Sequence, residues 1–131
     1  FDTDSDTDAG TSVGSSAVGS VTARFPATSA AWAWDGAGWL RSQNGTPHLD
    51  ASGRQIRAAN VIVQRTRYIE SGLGTPEGVT VGTGSATVYT NGAAIPAVWT
   101  RPTLRSVTTY TDANGNHIPV TPGITWIELV P

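Results

Sequence analysis

The chain has 131 residues, a formal net charge of -2, 14% charged residues, eight Arg with no Lys, and neither Cys nor Met. That length suits one domain, and five Trp, three Tyr and two Phe supply enough apolar area for a core. The same figures exclude a basic nucleic-acid-binding face, a disulfide framework and a thiol nucleophile, and no apolar run is long enough to cross a membrane as a helix.

Residues 1–17 read as an acidic, Gly/Ser-rich interdomain arm, and 18–131 as a single β domain. Asp2, Asp4, Asp6 and Asp8 invite a calcium reading. A loop of the EF-hand type starting at Asp2 needs Gly at its sixth position and Glu at its twelfth, where this chain has Thr7 and Val13. A solvated arm is the simpler expectation. The start at Phe1, without an initiator Met, reads as a fragment or a processed product.

From Val21 to Phe25 a strand is expected, closed by Pro26. Ala31–Trp34 and Trp39–Ser42, joined by Asp35-Gly36-Ala37-Gly38, read as a hairpin in which Trp32 and Trp34 share a face. Turns follow at Asn44-Gly45 and at Ala51-Ser52-Gly53. The strongest strand signal in the chain is Asn60-Val61-Ile62-Val63 with Gln64 to Tyr68 behind it. Alternation puts Val61, Val63, Arg65 and Arg67 on one face and Ile62, Gln64, Thr66 and Tyr68 on the other. Ser71 to Thr80 reads as a loop. Gly82 to Thr90, Asn91-Gly92 and Ala93 to Thr100 form the clearest hairpin, with Pro96 marking an edge or a bulge. Strands are expected at 105–111, 117–120 and 124–130. The fold class that follows is all-β, mainly antiparallel, a small sandwich or partly open barrel of about eight short strands with little helix.

The order W-x-W-D-x-x-x-W-x-R-S-x-x-G-x-x-H-x-D-x-x-G over Trp32 to Gly53, then N-V-x-V at Asn60, Trp99-Thr100-Arg101, Tyr110-x-Asp112-x-x-Gly115 and P-G-I-T-W-I at Pro122, resembles the C-terminal domain of the YerB-type lipoprotein family. The resemblance covers roughly 18–131. It implies a bacterial, exported, cell-envelope protein anchored by a lipid outside this chain, with a separate N-terminal domain as a partner. It carries no biochemical activity, and the module is expected to bind or scaffold, with an envelope protein or a glycan as further partner. No cofactor and no nucleic acid are called for.

Arg41, His48, Asp50 and Asn60 make the most polar cluster between apolar segments. His48 and Asp50 are two apart, so an extended backbone points them the same way, and a His held by a carboxylate is a candidate acid/base pair for a hydrolase or transferase. No Ser lies in a nucleophile elbow to accompany it, and two His are too few to suggest a metal site. The plainer reading is a structural network in which Arg41 pairs with Asp50 and Asn60 caps a turn. Trp99, Arg101, Tyr110 and Trp126 suggest a second, ligand-binding patch with an Arg stacked over a Trp.

Overall fold

In the computed structural model, which describes residues 14–70, 76–78 and 80–131, two Asn-Gly pairs set the registers of the sheets. Asn44 and Gly45 lie at φ 51° and 83°, and Asn91 and Gly92 at φ 50° and 74°. Positive φ at both central residues gives a turn whose twist matches that of paired strands, and Asn and Gly are the residues that tolerate it.

The strands in chain order are β1 Ser16–Ala17, β2 Ser20–Arg24, β3 Ser29–Trp34, β4 Trp39–Gln43, β5 Thr46–Pro47, β6 Arg57–Ala58 and β7 Asn60–Arg65. They continue as β8 Tyr68–Glu70, β9 Pro76–Gly78, β10 Gly82–Thr90, β11 Ala93–Arg101, β12 Thr109–Thr111 and β13 Thr125–Val130. The larger sheet runs β1-β11-β10-β7-β13, with β12 also paired to β11. The smaller runs β2-β3-β4-β5, with β6 also on β4, and β8 pairs with β9. Every pairing is antiparallel except that of β7 with β13. The result is an all-β, sandwich-like fold that does not close into a barrel.

Strand β7 has neighbours on both edges and packing on both faces, as its unbroken Val-Ile-Val run requires. Val61 joins Val21, Trp32, Trp39 and Ala58 between the two sheets, with Tyr89 and Trp126 packed against them. Ile62 turns the other way, to Ala86, Val88, Ile95, Ala97 and Trp99, and Tyr110 and Ile118 close over that cluster. The larger sheet is therefore the middle layer, with the smaller sheet on one side and the segment after β11 on the other. Pro96 falls between the stretches of β11 that pair with β1 and with β12, where no partner needs the N–H it lacks.

Three expectations need correction. The strand expected at 105–111 shortens to β12, because the Arg101 guanidinium donates to the carbonyls of Leu104 and Ser106 (2.7 and 3.0 Å) and holds that stretch in a turn. The strand at 117–120 reduces to a single bridge from His117 to Thr111, beyond which Pro119 and a captured Thr121 keep the chain off the ladder. In the expected loop 71–80, Pro76–Gly78 pairs with β8, Pro76 taking the first position of a strand where a missing N–H is tolerated. Asp2, Asp4, Asp6 and Asp8 lie outside the described residues.

Asn60 does fix a turn, but one 61 residues away. Its Nδ2 donates to the Thr121 carbonyl (2.7 Å) and to Thr125 Oγ1 (3.1 Å), and its Oδ1 accepts from Thr90 Oγ1 (2.6 Å) and the Thr121 amide (3.0 Å). Asn60 is fully buried, and its removal would cut four hydrogen bonds at once, leaving Thr90 and Thr121 only their bonds to each other. Asn60→Ala is expected to lower the unfolding free energy by about 3 kcal/mol in urea denaturation, and a loss under about 1 kcal/mol would show that the clamp is dispensable.

Candidate functional site

Arg41 on β4 and Glu128 on β13 meet between the two sheets. Arg41 Nε donates to Glu128 Oε2 at 3.1 Å, and the two side chains are only 8% and 7% exposed. The same carboxylate oxygen accepts from Trp32 Nε1 at 3.1 Å. The guanidinium carbon lies 5.7 Å from the Trp32 ring centroid and 5.0 Å from that of Trp126. A charge removed from water is tolerable only when paired and hydrogen-bonded, and here the pair and two indoles supply both conditions.

Local sequence places each partner. In β3, β4 and β13 alternate residues face inward, which aligns Trp32 with Arg41 in register and puts Trp126, Glu128 and Val130 on one face. Arg41 Nη1 also donates to Gln43 Oε1 at 2.8 Å and to His48 Nδ1. A guanidinium has no acceptor, so the ring nitrogen is the acceptor. The His48 ring stands edge-on to Trp126, 6.4 Å between centroids, and its amide is tied to the Arg41 carbonyl.

Asp50 is not part of this assembly. Its Oδ1 accepts from the Ser52 amide and hydroxyl (2.8 and 2.6 Å) and from the Arg54 amide (3.2 Å). These bonds, led by the Ser52 hydroxyl, hold the Asp50 carboxyl below the usual carboxylate range. The pairing of Arg41 with Asp50 expected from sequence is therefore replaced by Arg41 with Glu128, because Asp50 is consumed by its own turn. His48 and Asp50 form no acid/base dyad for the same reason. Of the cluster Arg41, His48, Asp50 and Asn60, only the first two are brought together.

The second expected patch also separates. Trp99 Nε1 donates to the Arg65 carbonyl at 2.8 Å, Tyr110 Oη to Gln64 Oε1 at 2.6 Å, and Arg101 to the 104–106 turn and Thr80. Trp126 belongs with Arg41, so the Arg-over-Trp stacking exists but on a different Arg. The residue that sequence reasoning missed is Glu128. The available signal was a lone carboxylate on the same strand face as Trp126 and Val130.

Among the described residues, two concavities stand out. One, of about 280 Å³, lies beside β13 on the outer face of the larger sheet, floored by Ile62 and Val88 and walled by Tyr110, Ile118, Val120 and Ile127. Val120 and Ile127 are 44% and 46% exposed there. The other, of about 530 Å³, is lined by Arg65, Arg67, Thr83, Ser85 and Trp99 among others.

The profile of a family described as protein of unknown function (DUF3048), C-terminal domain, matches residues 21–127. Among solved structures, the YerB protein from Bacillus subtilis is similar at a TM-score of 0.72 and 19% identity, over 86% of this chain and 40% of that one. At that identity the likeness concerns the fold, and this chain spans about 40% of the YerB chain. No curated protein matches.

Burial pushes the Tyr110 phenol up to about 12. Its neutral form is favoured in the fold, so an unfolded chain releases that proton first, and stability falls as pH rises from about 10 towards about 12. Phenolate absorbance should show Tyr110 ionising only near that upper limit. Tyr110→Phe should remove the late step. A Tyr110 signal titrating near 10 in the folded protein would contradict the burial seen here.

Proposed function

The chain belongs to the DUF3048 C-terminal domain family, and from that premise we propose that it is a non-enzymatic binding or scaffold module of a cell-envelope lipoprotein, working outside the cytoplasm. The envelope setting rests on the likeness of its motifs to YerB-type lipoproteins. The binding role rests on one observation: the groove beside β13 has a mainly apolar lining next to a strand that ends the larger sheet.

The lining contains no Arg, Asp or Glu. The ladder between β7 and β13 uses Ile124 at its start and Val130 at its end, so alternation turns the backbone of Thr125 and Ile127 away from β7. Among the described residues no strand pairs with Thr125 and Ile127 on that side, and an open strand edge beside exposed apolar side chains is a surface that takes a partner's extended segment. We assign that partner as the neighbouring domain of the longer protein. The family is described as a C-terminal domain, and the similar YerB chain extends well beyond the matched part. No acid/base chemistry is needed from His48, whose Nδ1 is taken by Arg41.

The test is a titration of that neighbouring domain into the 131-residue chain, followed through backbone amide shifts. Val120, Tyr110 and Ile127 should move first, and Ile127→Asp should weaken binding about tenfold or more. Shifts confined to the opposite sheet, or substrate turnover that His48→Ala abolishes, would overturn the reading.

A further inference from the structure

The larger concavity lies at the far end of β7, where Arg65 closes the strand and Arg67 follows just beyond it. Both are exposed, with buried Thr66 between them. Both line the cavity, with Thr83 and Ser85 from β10.

Neither cation pairs with a described Asp or Glu side chain. Asp35 pairs with Arg57 at 2.7 Å and Glu128 with Arg41 at 3.1 Å, while Asp50 and Asp112 hold the amides of their own turns. Arg65 donates to the Pro131 carbonyl at 3.1 Å through one nitrogen, which leaves most of its donors available. Among the described residues Arg67 donates to nothing, and the Ser85 hydroxyl has no bond.

The backbone beneath these side chains is fixed by a specific device. Trp99 Nε1 reaches the Arg65 carbonyl at 2.8 Å through the space left by Gly84. A Cβ on Gly84 would lie 2.5 Å from that indole nitrogen and 3.2 Å from the Arg65 carbonyl oxygen. The glycine lets the indole pin the backbone of Arg65 at the end of β7. A volume of about 530 Å³ falls in the range of small-molecule sites.

We propose that this cavity binds a small phosphorylated molecule, with Arg65 and Arg67 together holding the phosphate and the Ser85 hydroxyl contacting the body that carries it. A phosphate dianion offers two negative charges and three oxygens to two guanidinium groups at once, whereas a carboxylate offers one charge. The site is remote in sequence from the β13 groove and does not depend on the docking reading.

The test uses NMR on the 131-residue chain with its C-terminal carboxyl amidated, so that Pro131 brings no negative charge to Arg65. Inorganic phosphate and glucose 6-phosphate are titrated at constant ionic strength, against acetate and glucose. The expected result is saturable movement of the Trp99 indole N–H and the Arg65 and Arg67 side-chain N–H signals with the two phosphates only. Arg65→Gln and Arg67→Gln should each weaken binding about tenfold, and the double variant should abolish it, while Arg105→Gln leaves it unchanged. Both Arg residues are exposed, and the unperturbed Trp99 signal reports that a variant is folded. Equal response to acetate, a linear response without saturation, or wild-type binding by the double variant would overturn the proposal. Because the reporters are Trp99 and Arg67 and not Ile127, failure here is distinct from failure of the docking reading.

Discussion

The carboxylate of Glu128 is the point on which the two sheets of this domain agree. It comes from the last strand and receives one hydrogen bond from Trp32 and one from Arg41, 96 and 87 residues earlier. A buried carboxylate facing apolar rings would be costly alone, and so would a buried guanidinium. Together they fix which residues of β13 face inward and where β4 lies across from it. A slip of one residue in β13 would bring Ile127 under Arg41 and leave the guanidinium without a counter-charge.

The functional consequences follow from what that contact consumes. Arg41 uses Nη1 on Gln43 and His48, and Trp126 covers it from the side. The groups with the most chemical potential are thereby made structural. Asp35, Asp50 and Asp112 are similarly engaged in holding turns, and Asn60 in joining β7 to β10 and to the entry of β13. The surfaces left for recognition are the ones this framework does not use: the outer groove at the edge of the middle sheet and the Arg-lined cavity at the end of β7. The first is mainly apolar and the second carries two Arg, so the partners proposed for them differ in kind.

Much of the fold was legible because its signals are local. The Asn-Gly turns, the Trp-rich hairpin, the Val-Ile-Val run and the long β10–β11 hairpin all declare themselves within a few residues. The faces of β7 followed from alternation alone. The places where local reasoning failed are those where a distant group decides. The 102–108 segment has strand-like composition, yet Arg101 folds its carbonyls inward. Pro76–Gly78 looks like loop until β8 is beside it.

The site was less legible than the fold for the same reason. His48 and Asp50 are near in sequence and alike in direction, which suggests a pair, but a Ser two residues after Asp50 claims the carboxylate locally. Glu128, the true partner of Arg41, is separated from it by most of the chain, and no spacing rule connects them. Sequence reasoning therefore gave Arg41 an acidic partner but chose the wrong residue.

The central claim is that Arg41 and Glu128 act as one coupled unit clamping the sandwich. It is tested most directly by a double-mutant cycle on unfolding free energy with Arg41→Gln, Glu128→Gln and both together. Each single change should cost about 3–5 kcal/mol, and the double variant should fall short of their sum by at least about 2 kcal/mol. Additive effects within about 0.5 kcal/mol would show that the two side chains are neighbours without being partners.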